Sequence, residues 1–311
     1  MIRKEVMDLD IYKELVNEFS KVKVKACVIK RNGKIVLDYH KNDKMATKQH
    51  KINSCTKSIT SALIGICIDK GLIDGLDVTI ERYFAEHLLE DEKKEITIRH
   101  LLTMTDGLDW PELEEWNGFA PMLYQKDMAG YVLGRNLIHH PGEHMNYNSG
   151  ASQLLGEIIT ISTGMSVVEF AKKELLEPLG IHDFTWWERE GHALTADGLK
   201  MTMEDMVKFG ELYLNKGIYK GKRILPEKWI EESFIPRFLT YTDIGSYGYH
   251  WWHTNALVDE KLLDINFALG IRGQYVIVIP AMDMVIAITG DLEDSMFPLR
   301  VVKRCLEKGG M

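Results

Sequence analysis

The hydrophobic pattern divides the chain into ends that are typical of strands and a middle that is typical of helices. Near the N-terminus, apolar residues close to helical spacing predict a helix over residues 8–20. Residues 24–30 and 34–39 are rich in β-forming side chains, and the Asn32-Gly33 pair between them is typical of a tight hairpin turn. The first β-rich segment is therefore predicted to be a two-stranded hairpin.

The middle of the chain, about residues 54–215, is predicted to be mostly helical. Its first helix begins near Ser54, where apolar residues recur at positions i, i+3, i+4, i+7 and i+8, and it stops at Gly71. Helical patterns return over residues 203–216 and 226–234.

The last third of the chain returns to the strand pattern and closes with a helix. The predicted strands cover residues 247–253, 262–269, 274–280 and 284–289, and the predicted helix lies near residues 295–308.

These elements predict an α+β fold. Because the two β-rich ends are far apart in sequence, they pair most economically in one antiparallel sheet, with the helical middle inserted as a second lobe. The α/β lobe of this single domain, residues 1–311, would comprise about residues 1–53 and 216–311, and the helical lobe about residues 54–215. Ligand clefts commonly form between such units, so the active site is expected between the two lobes.

Composition narrows the possible partners. The chain carries 38 basic and 46 acidic residues, a net charge of −8, which argues against nucleic acid as a partner because phosphate binding needs a basic surface.

No run approaches the roughly 18 apolar residues of a membrane span, and the N-terminus lacks the apolar core of a signal peptide. A soluble, cytoplasmic protein that acts on a small molecule is expected, although a removed export signal would leave no trace. The oligomeric state stays open.

The cysteines do not indicate a metal site or a disulfide scaffold. Their spacing is wrong for a metal site and their number is low for a chain of this length, so reduced and buried thiols are expected at Cys27, Cys55, Cys67 and Cys305. The chain also lacks a phosphate-binding loop and a His-Glu-x-x-His motif, and no cofactor or metal is predicted.

The first candidate for chemistry is the segment Ser54-Cys-Thr-Lys57. Residues i and i+3 of a helix share a face, so the Lys57 amine could reach the Ser54 hydroxyl. Partial burial would lower the lysine pKa and free a lone pair for base chemistry. A helix-capping serine beside a solvated lysine has the same spacing, and a second such pair, Ser20 and Lys23, leads directly into a strand. Spacing alone leaves both interpretations open.

The second candidate is Tyr147, which follows a Pro-Gly turn and precedes an apolar helical pattern. A tyrosine on such a loop can be held rigidly, and it can act as a base and an acid when it shares a proton with a lysine. A tyrosine with a purely structural hydrogen bond would give the same pattern.

Among the tryptophans, Trp110 is predicted to line the cleft because it follows a Gly-Leu-Asp loop.

Together these segments resemble a known family. Ser54-Cys-Thr-Lys57, Tyr147-Asn-Ser149 and Gly270-Ile-Arg-Gly-Gln-Tyr275 resemble, in order and separation, the three motifs of the serine β-lactamase and penicillin-binding-protein-like superfamily. The most similar branch is that of the class C-like esterases and amide hydrolases. The resemblance covers nearly the whole chain and favours the catalytic interpretation of both candidates; it includes residues 98–108, 198–210, 225–229 and 273–285.

The resemblance implies a β-lactamase-like fold and a serine hydrolase that works through an acyl-enzyme. Ser54 resembles the acylated nucleophile, and Lys57 and Tyr147 resemble the pair that removes its proton and passes it to the leaving group. The backbone N–H groups of Ser54 and Gln274 would form the oxyanion hole. The expected substrate is a small ester or amide, with weak or no β-lactamase activity. A penicillin-binding or sensing protein that turns over slowly and a true β-lactamase are the alternatives.

Two positions depart from the family pattern. Ser149 stands where many members have asparagine, and its hydroxyl reaches less far than a carboxamide. Ile271 stands where members have lysine or histidine, and Arg272 is expected to point to the opposite face of a strand, so recognition of a substrate carboxylate is in question. The predicted substrate-binding residues are Ser149, Trp110, Ile271, Arg272 and Gly273.

Overall fold

A computed structural model describes residues 2–88, 91–112, 118–241 and 244–309. Its strands are β1 (Val24–Arg31), β2 (Lys34–His40), β3 (His50–Lys51), β4 (Thr185–Trp186), β5 (Glu188–Arg189), β6 (His192–Ala193), β7 (Leu199–Met201), β8 (Ile218–Tyr219), β9 (Lys222–Arg223), β10 (Phe238–Leu239), β11 (Ser246–Tyr247), β12 (Trp252–Val258), β13 (Lys261–Gly270), β14 (Gln274–Ile279) and β15 (Met284–Gly290).

The helices occupy much of the middle of the chain. They are α1 (Ile2–Ser20), α2 (Lys44–Thr47), α3 (Thr56–Asp69), α4 (Glu81–Phe84), α5 (Ile98–Thr103), α6 (Phe119–Met122), α7 (Met128–Leu133), α8 (Ser149–Thr163), α9 (Val167–Ala171), α10 (Met203–Leu214), α11 (Glu227–Phe234) and α12 (Phe297–Glu307).

One antiparallel sheet joins the two ends of the chain. Within the described residues its order is β10-β11-β12-β13-β14-β15-β1-β2, so the N-terminal hairpin lies beside the last strand. Asn32 and Gly33 both have positive φ, 48° and 71°, as a tight turn between twisted strands requires. The predicted α+β fold and its shared sheet are confirmed.

Helices cover both faces of the sheet. α10 packs against β14, β15 and β1, while α1 and α12 pack against each other on the opposite face. Alternate residues of β14 accordingly enter different cores: Val276 faces the core that contains α10, and Tyr275 faces the other. The segment assigned to the helical lobe thus includes one helix, α10, that lies on the sheet. The division into two lobes stays a prediction.

The predicted strand over residues 247–253 is wrong in its middle. The chain forms β11, bends, and begins β12 only at Trp252. His250 lies at the bend with a φ of 57°, and its N–H donates to the Leu102 carbonyl while its carbonyl accepts from Ser58 Oγ. Hydrogen bonds to the helical part of the molecule therefore replace those of a continuous strand.

The cysteine expectation is met. Cys27, Cys55, Cys67 and Cys305 are all buried free thiols. No single helix in the described part of the chain is long and apolar enough to cross a membrane.

Candidate active site

Ser54 lies in a short 3-10 turn, Asn53–Cys55, that continues directly into α3. Asn53 has a φ of 49°, a left-handed conformation that non-glycine residues adopt rarely and that often occurs at functional sites. No side-chain hydrogen bond caps the start of either the turn or α3, so Ser54 does not act as a helix cap. Its hydroxyl lies 3.0 Å from Lys57 Nζ instead.

Lys57 is only 1% exposed, which excludes the interpretation of a solvated lysine. Its Nζ contacts Ser54 Oγ at 3.0 Å, Ser149 Oγ at 2.9 Å and the Ala196 carbonyl at 3.0 Å. Burial lowers the pKa of Lys57, while the carboxylates of Glu112 and Asp197 act to raise it. A neutral amine has two N–H donors, which Ser149 and Ala196 can accept, so its lone pair would face the Ser54 O–H.

Tyr147 lies beside this pair. Lys57 Nζ lies 4.9 Å from the centre of the Tyr147 ring, and the ring stacks on Trp252 with 5.8 Å between centroids. Burial raises the pKa of Tyr147 well above its usual value, as do the nearby Tyr247 and Glu112, while the Ser54 hydroxyl acts to lower it. The phenol therefore keeps its proton at neutral pH, which suits a proton donor better than a base.

Glu112, a residue that the sequence analysis missed, supports Lys57 through Ser149. The Ser149 hydroxyl donates to Glu112 Oε1 at 2.5 Å and accepts from Lys57, and the Ser149 N–H donates to Glu112 Oε2 at 2.7 Å. Both Glu112 and Ser149 are buried. The short serine hydroxyl thus links the lysine to a carboxylate. No local pattern distinguishes Glu112 from the other acidic residues of the chain.

Trp110 does not line the cleft, contrary to the prediction. It is fully buried, and its Nε1 donates to Glu112 Oε2 at 2.7 Å. Gly118 and Gly150 allow this position, because a Cβ at either residue would lie less than 3.0 Å from the indole. Trp110 therefore contacts the site through Glu112 and not as part of a cleft wall. Ser149 is likewise buried against Lys57, and its predicted contact with substrate stays a prediction.

The third motif forms a turn and not a continuous strand. β13 ends at Gly270 and β14 begins at Gln274, so Ile271–Gly273 connects the two strands. Arg272 has a φ of 65°, donates its N–H to Ser295 Oγ, and pairs with Asp291 at 2.7 Å. The expectation that Arg272 lies on a strand is wrong, since the hairpin turn imposes its own geometry.

This turn lies against the segment that carries Ser54. Asn53 Nδ2 donates to the Ile271 carbonyl at 2.7 Å, and Cys55 Sγ donates to the Gln274 carbonyl at 3.5 Å. A Cβ on Gly270 would lie 2.5 Å from the Ile52 carbonyl oxygen, so glycine permits this close approach. The structure therefore brings Gln274 next to the turn that carries Ser54, while the oxyanion hole itself stays a prediction. Ile271, at 39% exposure, presents an apolar side chain to solvent.

A second buried group, His250, lies next to the site. Its Nε2 contacts Ser152 Oγ at 3.0 Å and its Nδ1 contacts the Tyr247 hydroxyl at 3.4 Å. Burial, and after it the charge of Lys57, lower the pKa of His250 to about 3, so the imidazole is neutral. Tyr247 in turn packs edge-on against Trp252, the residue on which Tyr147 stacks. His250 thus belongs to the support of Tyr147 and is not itself a candidate base.

Comparison with known proteins identifies the family. The Beta-lactamase family model matches residues 13–299, and the chain belongs to this family. A solved class C beta-lactamase superposes with a TM-score of 0.75 at 16% identity, covering 98% of this chain and 96% of that chain. EstCE1, a hydrolase with promiscuous acyltransferase activity, superposes with a TM-score of 0.78 at 13% identity, covering 99% of this chain and 100% of that chain. Both show the same β-lactamase-like fold, as predicted.

Curated relatives include hydrolases and acyltransferases. The 6-aminohexanoate-dimer hydrolase of Paenarthrobacter ureafaciens is 22% identical over 286 residues, 84% of this chain and 71% of that protein. The ML-236A carboxylate methylbutanoyltransferase of Penicillium citrinum is 28% identical over 162 residues, 44% of this chain and 37% of that protein. The aligned residues cover half or less of the length of the methylbutanoyltransferases. These relationships support an enzyme of the hydrolase and acyltransferase type.

Proposed function

We propose that this protein is a serine hydrolase that acts on a small ester or amide through an acyl-enzyme on Ser54. The observation that carries the proposal is the buried Lys57 amine, 3.0 Å from Ser54 Oγ, with acceptors for its two remaining N–H groups at Ser149 and Ala196. A lysine whose pKa is lowered by burial can accept a proton from serine without a histidine.

In the proposed acylation step, Ser54 Oγ attacks the substrate carbonyl and its proton passes to Lys57. The Tyr147 phenol then donates its proton to the leaving oxygen or nitrogen and recovers one from Lys57. Backbone N–H groups of Ser54 and Gln274 would stabilise the oxyanion, each contributing about 3 kcal/mol. In deacylation, water attacks the acyl carbonyl, its proton returns through the same groups, and Ser54 is released.

A second candidate is acyl transfer to an alcohol in place of water. Several relatives carry acyltransferase names, and EstCE1 combines hydrolase and acyltransferase activities. Both reactions share the acyl-enzyme and differ only in the acceptor. Adding a primary alcohol to an ester assay separates them, because transfer yields a new ester while hydrolysis yields only acid.

The proposal is tested with p-nitrophenyl butyrate and an aryl phosphonate. We expect turnover beyond one equivalent, no activity in Ser54→Ala, and phosphonate mass on the peptide that contains Ser54. Because Cys55 is adjacent, the label must be assigned to the residue; burial raises the pKa of its thiol, so it is expected to stay unlabelled. A single burst without turnover would favour a penicillin-binding or sensing protein, and label on Cys55 would contradict the assignment of the nucleophile.

A further inference from the structure

A polar pocket of about 370 Å³ adjoins the nucleophile's turn. Its wall includes Asn53, which directly precedes Ser54, together with Ile271 and Gln274 of the third motif. The described residues that line it do not include Ser54, Lys57 or Tyr147. The pocket therefore lies beside the candidate active site, and Asn53 belongs to its lining.

The pocket concentrates positive charge in an acidic protein. Its described lining includes the cations Lys25, Lys48, Lys51, Lys200 and Arg272 and the carboxylate Asp291. The whole chain has a net charge of −8, so the charge of this pocket is opposite in sign to that of the protein as a whole.

Within the described part of the chain, three of these cations lack an anionic partner. Arg272 pairs with Asp291 at 2.7 Å, and Lys51 pairs with Asp197 at 3.2 Å. Lys25, Lys48 and Lys200 form no ion pair with any described residue. They come from three separate parts of the chain, β1, the segment before β3, and β7. The pairing of β3 with β7 brings the last two of these parts together. Like charges brought together in this way repel one another, and an anion bound among them would offset that repulsion.

The positive charge of these lysines also affects the pKa values of two other residues in the pocket lining, His50 and Asp291. His50, a buried residue of the pocket wall, has its pKa lowered by burial first, and the charges of Lys25 and Lys48 lower it further. Lys25 also helps to lower the pKa of Asp291, after the larger effect of the Arg272 hydrogen bond. Lys25 thus affects two residues of the pocket lining, and the neutral His50 adds no charge of its own.

We infer that this pocket is a binding site for an anionic group, a carboxylate or a phosphate, held by Lys25, Lys48 and Lys200. A volume of about 370 Å³ falls in the range of small-molecule sites. The anion can be the end of a substrate whose reacting carbonyl lies at Ser54, a role that rests on the proposed function. It can also be a separate small anion, whose binding would act on Asn53 and Gln274 and does not depend on the reaction.

The test is equilibrium binding of inorganic phosphate and of glutarate to the full chain, measured by calorimetry at low salt. The pocket variant is Lys25→Gln/Lys48→Gln/Lys200→Gln. The matched control, Lys34→Gln/Lys222→Gln/Lys261→Gln, removes the same charge from exposed hairpin positions outside the pocket. We expect saturable binding that weakens about tenfold or more in the pocket variant and less than about threefold in the control. Equal weakening in both, or no saturable binding to the native protein, would overturn the inference.

A second measurement needs no variant and covers the case in which the pocket variant does not fold. Amine acetylation of the native protein, read by peptide mass spectrometry with and without phosphate, should show protection at Lys25, Lys48 and Lys200 but not at Lys34 or Lys222. Uniform protection, or none, counts against the site.

Two kinetic measurements distinguish an anion that is part of the substrate from one that binds separately. If the substrate carries it, mono-p-nitrophenyl glutarate should exceed p-nitrophenyl butyrate in kcat/KM, and the pocket variant should lose that preference. If the anion is separate, phosphate should change kcat/KM for p-nitrophenyl butyrate in the native protein and not in the pocket variant. A complete lack of ester turnover would contradict the proposed function alone, and the binding comparison would still decide the inference.

Discussion

At the scale of single residues, the environment of Lys57 contains both what the sequence can predict and what it cannot. The Ser54 and Lys57 pair follows from helical spacing, because residues three apart share a face. The role of Glu112 could not be predicted from helical spacing, since Glu112 contacts Ser149 only in the folded chain and lies 37 positions away in sequence. Trp110 illustrates the converse error: its loop position suggested exposure, but its indole N–H is used to hold Glu112.

The first prediction concerns Glu112→Gln. The Glu112 carboxylate raises the pKa of Lys57 against the larger lowering by burial. Removing the charge should lower the Lys57 pKa further. Because the proposed base must be deprotonated, activity rises with pH through the Lys57 pKa, and the acidic limb of the kcat/KM profile should move to lower pH. A pH series of p-nitrophenyl butyrate hydrolysis measures this shift.

The control for this prediction is Glu204→Gln, which removes an exposed carboxylate that pairs with Lys208 on α10. The acidic limb of this control should stay in place. An acidic limb that does not move in Glu112→Gln would show that Glu112 acts only on the position of Ser149 and not on the charge of Lys57.

The second prediction is that Lys57 and Tyr147 act as one proton-transfer unit. Lys57→Ala and Tyr147→Phe should each reduce kcat by orders of magnitude, and the double variant should be little worse than the worse single variant, because groups that act together are non-additive. Steady-state kinetics of the three variants form the cycle, with circular dichroism as the check on folding. Losses that multiply fully would mean that the two residues act separately.

At the scale of elements, the sequence pattern located most helices and strands but not their interruptions. The break at His250 was not predicted because residues 247–253 are rich in aromatic side chains, which favour a continuous strand. The predicted strands 262–269 and 274–280 correctly leave a connection between them, but the expected strand conformation of Arg272 is wrong, since Arg272 and Gly273 both have positive φ, 65° and 81°. In both places long-range hydrogen bonds override local propensity.

The third prediction concerns the approach of β13 to the turn that carries Ser54. Gly270→Ala would place a Cβ 2.5 Å from the Ile52 carbonyl oxygen and 3.0 Å from Asn53 Cβ. Relieving that clash must displace either the turn or the start of β14. We expect a loss of about 1–3 kcal/mol in the free energy of unfolding and a fall in kcat of at least about tenfold, because the oxyanion donors would be misplaced.

Gly65→Ala is the matched control for the effect on the reaction. Gly65 lies within α3, and a Cβ there would lie 2.5 Å from Trp229, away from the candidate site. This variant should lose comparable stability while the kcat of its folded fraction is preserved. Equal kcat values for the two variants would show that the contact at Gly270 is only structural.

At the scale of the whole molecule, the order of β-rich and helical segments along the chain was the most informative feature of the sequence. Two β-rich ends around a helical middle predicted one shared sheet, and β1 indeed lies beside β15. The placement of α10 on that sheet was not predicted, because its amphipathic pattern identifies a buried face without naming the partner. The cationic pocket was not predicted from the sequence either, since Lys200 lies 152 positions after Lys48 and 175 positions after Lys25.

The last prediction follows from the charge distribution around the cleft: simple esters should be better substrates than β-lactams. A β-lactam carries its carboxylate close to the bond that is opened, where the family provides lysine or histidine and this chain provides Ile271. We do not expect Arg272 to replace that group, because its guanidinium pairs with Asp291. A charge-assisted hydrogen bond contributes about 1.5–3 kcal/mol, or about 10- to 150-fold in kcat/KM, and a neutral ester does not need it. Kinetics with p-nitrophenyl butyrate, nitrocefin and benzylpenicillin should therefore show clear ester hydrolysis and weak or absent β-lactam hydrolysis. Equal or higher kcat/KM for the β-lactams would contradict this, and loss of that activity in Arg272→Ala would then identify Arg272 as the carboxylate ligand.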